Sequence, residues 1–139
     1  MSHPALRPLA AGMEVTIEFG GDPQDVTITA WGVADVAGLR RLSAELKADP
    51  RYRAGLSILA VYSDLDMSGL SDLELAQVAT ESVERHWDLR PAALAIVATD
   101  LKTFARAREG VAHLGGSQEH RRAFTSLDAA VAWLREQSS

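Results

Sequence analysis

Residues 56–75, LSILAVYSDLDMSGLSDLEL, constrain this chain more than any other stretch. An apolar, β-rich run, Leu56 to Tyr62, is followed by a short acidic loop, Ser63 to Gly69, and a helical pattern opens near Leu70. Strand, loop and helix in that order put Ser68 and Gly69 at the carboxyl end of a central strand and the amino end of a helix. Open α/β sheets carry their ligand sites at such strand ends.

The rest of the chain reads as further elements around that unit. In MEVTIEF, Met13, Val15, Ile17 and Phe19 alternate with Glu14, Thr16 and Glu18, the pattern of a strand with one wet face at a sheet edge. Gly20, Gly21, Asp22 and Pro23 form a turn into a second strand, Val26 to Trp31, so the first two strands should make an antiparallel hairpin. Asp35 is placed to cap a helix carrying Val36, Leu39, Leu42 and Leu46, which Pro50 stops near Ala48. A second helix is expected from about Leu70 to Trp87, with Leu75, Val78, Ala79 and Val83 inward and a capping box between Ser71 and Glu74. Ala93 to Thr99 is a continuous apolar run closed by the threonine, as suits a strand covered on both faces.

A third helix, Leu101 to about Leu114, should stop at Gly115 and Gly116. A short strand, Arg121 to Phe124, precedes a last helix capped by Ser126, its buried face formed by Leu127, Ala130, Val131 and Leu134. The order is ββαβαβαβα. Right-handed crossovers then favour a five-stranded, mostly parallel sheet with an antiparallel strand at the amino-terminal hairpin and about four helices. Residues 1–12, held extended at Pro4 and Pro8, read as a flexible arm, and 13–137 as one domain.

Composition excludes several classes of function. The chain has 139 residues, enough for a full core, and no cysteine, which removes thiolate chemistry and disulfides. No apolar run approaches the ~20 residues of a membrane span, and the amino terminus lacks the apolar core of a signal peptide, so a cytoplasmic protein is expected. A formal net charge of −5, with no concentrated lysine or arginine surface, argues against nucleic acid and leaves another protein as the expected partner. The oligomeric state stays open, a dimer included.

Two signatures then carry a resemblance. Asp66-Met67-Ser68-Gly69-Leu70 resembles the Asp-Ser-Ser-Gly-Leu segment of anti-sigma factor antagonists, with Met67 at its first serine. The ending Phe124-Thr125-Ser126-Leu127-Asp128-Ala129-Ala130-Val131-Ala132-Trp133-Leu134 resembles that of SpoIIAA-like proteins. Together with the element order they make the chain similar to the STAS superfamily, in particular its SpoIIAA-like branch of small stand-alone proteins. The resemblance implies an α/β STAS fold and a non-enzymatic regulatory module that works through protein contacts. In the antagonists a partner kinase, itself an anti-sigma factor, phosphorylates the second serine, and phosphorylation ends the association. That serine corresponds to Ser68.

The residues themselves support several readings of the same stretch. Asp64, Asp66, Ser68, Gly69 and Ser71 form a candidate partner-binding loop, and Ser68 is the candidate phosphorylation site, since a phosphate there would meet the free amides of a helix start. A purely structural reading has Ser68 or Ser71 capping the helix and Gly69 permitting the turn. Asp64-x-Asp66-x-Ser68-Gly69 imitates half of a calcium loop, but Leu75 stands where the bidentate glutamate is needed and a strand enters where a helix is required, so no metal is expected. Neither is a cofactor. His3, His86, His113 and His120 show no paired ligand spacing, and no catalytic constellation can be read from the order of residues, so no enzyme is expected. Tyr62, His86 and Trp87 are a candidate pocket, and with it comes the alternative function of carrying or sensing an apolar small molecule.

Overall fold

The computed structural model describes residues 12–85, 91–113 and 120–137. Its elements follow the expected order: β1 (Met13–Phe19), β2 (Val26–Val33), α1 (Val36–Ala48), β3 (Ser57–Asp66), α2 (Asp72–Arg85), β4 (Ala93–Val97), α3 (Leu101–His113), β5 (Arg121–Phe124) and α4 (Leu127–Gln137). The strands lie in one sheet in sequence order, β1 antiparallel to β2 and the others parallel.

Alternation along the strands divides the core between the two faces. Ile58 and Ala60 of β3 join Ile28 of β2 and Ile96 of β4 under Leu42 and Leu46 of α1, Leu75 of α2, and Ala107 and Val111 of α3. The intervening Leu59, with Ala93, Ala95 and Val97, packs under Ala130, Trp133 and Leu134 of α4. β4 is thus covered on both faces, as its unbroken apolar sequence requires. Full burial of a side chain such as Leu134 contributes roughly 1.5–3 kcal/mol. Phe124 tilts against Trp133 with ring centroids 5.6 Å apart, which seats α4 on the end of β5.

Local chemistry sets the element ends. Asp35 accepts a hydrogen bond from the Gly38 amide at 2.6 Å and starts α1. At Gly38 a Cβ would lie 2.9 Å from the Cβ of Met13, so only glycine lets this first turn rest on β1. Asp49, ahead of Pro50, is extended and ends the helix. Ser126 Oγ accepts from the Ala129 amide at 3.2 Å and starts α4.

Besides a one-residue difference at the start of β3, which opens at Ser57, four boundaries and one buried face differ from the sequence-based expectation. β2 continues to Val33, β4 stops at Val97, and α2 begins at Asp72 rather than near Leu70. The expected acidic loop from Ser63 is shorter, because β3 runs on through Asp66. Leu127, expected to be buried, is 48% exposed: it is the first residue of α4 and has no turn of its own helix ahead of it. Gly115, Gly116, His86, Trp87 and residues 1–11 lie outside the described residues.

Candidate functional site

The extra length of β3 comes from a bulge. Thr29 pairs with Val61 but Trp31 pairs with Asp64, so β3 spends one more residue than β2 over the same span. One inserted residue reverses which face each later side chain takes. Leu65 therefore turns into the helix-covered core with Tyr62, while Asp64 and Asp66 stay exposed. The strand can continue through an acidic segment because the bulge sends its carboxylates outward.

Beyond Asp66 the chain makes one tight turn held from both sides. Met67 and Leu70 are 3% and 2% exposed, anchored in the same core cluster, and the Leu70 amide donates to the Met67 carbonyl at 3.3 Å. Ser68 and Gly69, between these anchors, are exposed. Asp66 Oδ1 accepts from both the amide and the hydroxyl of Ser68, at 2.9 and 2.6 Å. Those hydrogen bonds, the hydroxyl's first, hold the Asp66 carboxyl below the usual aspartate range, and the charge of Lys102 adds to the effect.

The next residues cap α2. The Ser71 amide donates to Glu74 at 3.0 Å, and the Glu74 amide donates back to Ser71 Oγ at 3.1 Å, the reciprocal pair expected from the sequence. Ser71, rather than Ser68, is thus the cap. Gly69 departs from the expectation that glycine is needed to make the turn. Its φ is not positive, and a Cβ built on it meets nothing within 4 Å. Neither backbone conformation nor crowding inside the fold demands a glycine here.

Neighbouring elements brace the turn. Thr103, buried in the first turn of α3, donates its hydroxyl to the Leu65 carbonyl at 2.9 Å, and its amide donates to Asp100 Oδ2 at 3.0 Å. Arg106, one turn further along α3, bonds to Asp72 at the start of α2 and to Glu109 at 3.2 Å. The Ala34 amide donates to the Asp66 carbonyl at 2.8 Å, joining the end of β2. The roles of Thr103 and Asp100 went unread in the sequence, although the Asp-x-x-Thr spacing before an apolar-periodic segment is itself a cap signal.

Asp66, Ser68, Gly69 and Ser71 therefore meet at one strand end, with Asp64 two residues back on β3 itself. Of the candidate pocket, only Tyr62 is described. It is partly buried against the helix-covered core, and burial pushes its hydroxyl up to about 12. Among the described residues no group of three or more His, Cys, Asp or Glu side chains is arranged to hold a metal ion. No described helix is long and apolar enough to cross a membrane.

No protein-family model and no curated protein matches the chain. Among solved structures it is similar to an uncharacterized protein of the DUF3478 family, with a SpoIIAA-like fold, from Shewanella loihica PV-4. The two are 20% identical and superpose with a TM-score of 0.54 over 88% of this chain and 94% of the other. At that identity the likeness speaks for architecture alone. With the mixed five-stranded sheet and four helices of the described residues, it establishes a SpoIIAA-like α/β fold for this chain.

Proposed function

We propose that the protein is a non-enzymatic regulatory module of the cytoplasm that binds a partner protein through the turn after β3, with Ser68 as a phosphate-controlled switch. The observation that carries this reading is the construction of the turn. Two buried anchors, Met67 and Leu70, present an exposed serine hydroxyl beside a glycine that the fold does not require. A bare backbone at that point leaves room for another chain to approach closely.

The hydrogen bonding gives the switch a physical form. Ser68 donates its hydroxyl to Asp66. Esterification removes that proton and sets a group of about −1.5 to −2 charge at pH 7 against the same carboxylate. The donor pair that closes the turn is then lost to repulsion, and the presented surface changes both shape and charge.

The test is the intact mass of the protein purified from its native host. A fraction should carry the mass of one phosphate, and Ser68→Ala should eliminate that fraction. A preparation that never shows the added mass across growth conditions, or that keeps it in Ser68→Ala, overturns the switch.

A further inference from the structure

Among the described residues, the exposed large hydrophobic side chains are Val33, Leu73, Leu101 and Leu127, at 51%, 69%, 74% and 48%. Single exposed leucines are ordinary on a protein surface. These four share an address. Val33 ends β2, Leu73 is the second residue of α2 after β3, Leu101 opens α3 after β4, and Leu127 opens α4 after β5. In parallel β–α units the strand ends and the starts of the following helices lie along one edge of the sheet, so all four stand on the edge that carries Ser68.

Three of them are braced around that turn. Val33 pairs with Asp66 across the β2–β3 register. Asp72, beside Leu73, holds Arg106 of α3. Thr103, two residues after Leu101, bonds the Leu65 carbonyl. The apolar groups are therefore fixed relative to one another before anything binds, which lowers the ordering cost of an interface.

Charge selects the occupant. Asp35, Asp64, Asp66, Asp72, Asp100 and Asp128 are exposed along the same edge. Among the described residues its cations are fewer and mostly engaged: Arg41 donates to the Met13 carbonyl, Arg106 holds Asp72 and Glu109, Arg122 lies over the Phe124 ring, and Lys102 stands beside Leu101. An apolar row set among carboxylates repels acidic proteins and anionic lipid, and attracts apolar side chains flanked by lysine or arginine.

We infer that the carboxyl edge of the sheet, from Val33 across Leu73 and Leu101 to Leu127, docks a protein segment whose apolar residues are flanked by basic ones. This deepens the proposed function, since it rests on the reading that this edge makes protein contacts. It assigns the partner's chemistry and widens the footprint to four elements, and it does not depend on modification of Ser68.

The experiment is chemical-shift mapping of the full chain with synthetic peptides of equal length: leucine with arginine, leucine with glutamate, and serine with arginine. The leucine–arginine peptide should shift the amides of residues 33, 66–73, 101 and 127, and bind at least about tenfold more tightly than either control. Leu73→Ser combined with Leu101→Ser should weaken it by about tenfold or more while leaving the thermal midpoint unchanged, because both side chains already face solvent. Lys102→Glu should tighten it. Equal binding of the serine–arginine peptide would reduce the surface to plain charge, and equal binding of the leucine–glutamate peptide would reduce it to plain hydrophobicity. Either result overturns the inference, as do shifts away from this edge or none with any peptide. A missing phosphate on Ser68 would leave these results standing. Failure of the peptides would leave the phosphate measurement standing.

Discussion

The two edges of the mixed sheet end the same strands and helices, yet they are finished differently. At the amino edge apolar rings lie under cations. The Arg51 guanidinium sits 4.5 Å from the centre of the Phe19 ring while also holding Asp49 at 2.9 Å, and Lys47 Nζ stands 5.3 Å from the Tyr52 ring. Lys47 and Arg135 occupy the last turns of α1 and α4, where positive charge opposes the negative end of the helix dipole. At the carboxyl edge aspartates occupy the helix starts, which satisfies the dipoles equally well, but four large hydrophobic side chains are left in water. Among the described residues the amino edge exposes no large hydrophobic side chain. The carboxyl edge is braced as firmly, and it is there that the described residues expose their large hydrophobic side chains.

That contrast separates residues that hold the edge from residues that face out of it, and substitutions can break it. Met67 and Leu101 both stand at the carboxyl edge, one 3% and the other 74% exposed. Met67→Ala should cost about 2–5 kcal/mol, the usual range for emptying a core position. Leu101→Ala should stay within about 0.5 kcal/mol of the parent. Urea unfolding of the two variants beside the parent decides it. A comparable loss from Leu101→Ala would make the exposed row part of the fold and remove its distinction from the amino edge.

A smaller loss is expected where the brace is a single hydrogen bond. Thr103→Val keeps the side-chain shape but leaves the buried Leu65 carbonyl without the hydroxyl that now reaches it at 2.9 Å. The cost should be about 1–3 kcal/mol. Amide exchange at residues 66–70 should quicken more than at Val26–Ile28 beside the amino edge, because the lost bond ties α3 to the strand end. Uniform loosening of both edges would show that Thr103 supports the whole domain rather than this turn.

The legible and illegible parts of the site divide along physical lines. The Ser71–Glu74 capping box, the Asp35 cap and the Ser126 cap were readable because each is a local exchange of hydrogen bonds with fixed spacing. The continuation of β3 was not. Asp64 and Asp66 flank Leu65 like residues of a solvent loop, and only the pairing with β2 reveals the extra residue that turns both carboxylates outward. Met67 stood in the sequence for a missing serine, and its burial gives it a different task, anchoring the turn. Leu127 fits the periodicity of a buried helix face, but periodicity says nothing of where the sheet beneath it ends. Gly69 matched a turn glycine in type and neighbourhood, and its φ and open surroundings show that the turn does not need it.

The finest comparison is between two carboxylates, one on each edge, both held below the usual aspartate range by different partners. Asp49 is held by hydrogen bonds from the Arg51 guanidinium first and the Arg51 amide second, with the guanidinium charge adding. Asp66 is held first by the neutral hydroxyl of Ser68 and then by its amide, with Lys102 a lesser contributor. Both groups have a folded pKa below the unfolded one. Their contribution to stability is therefore fully present above the unfolded aspartate pKa of about 3.9 and is lost as pH falls through the folded values. Carboxyl-carbon NMR titration should show both depressed. Ser68→Ala should raise Asp66 part of the way, with the amide still donating, and leave Asp49 alone; Arg51→Ala should do the reverse. Added salt should raise Asp49 more than Asp66, because screening weakens the guanidinium's charge and leaves a hydroxyl unaffected. If Asp66 instead titrates at its ordinary value, or ignores the loss of the Ser68 hydroxyl, the turn is not closed in solution as described. A phosphate on Ser68 would then have no closed pair to open, and the switch would lose its physical basis while the apolar row beside it kept its own.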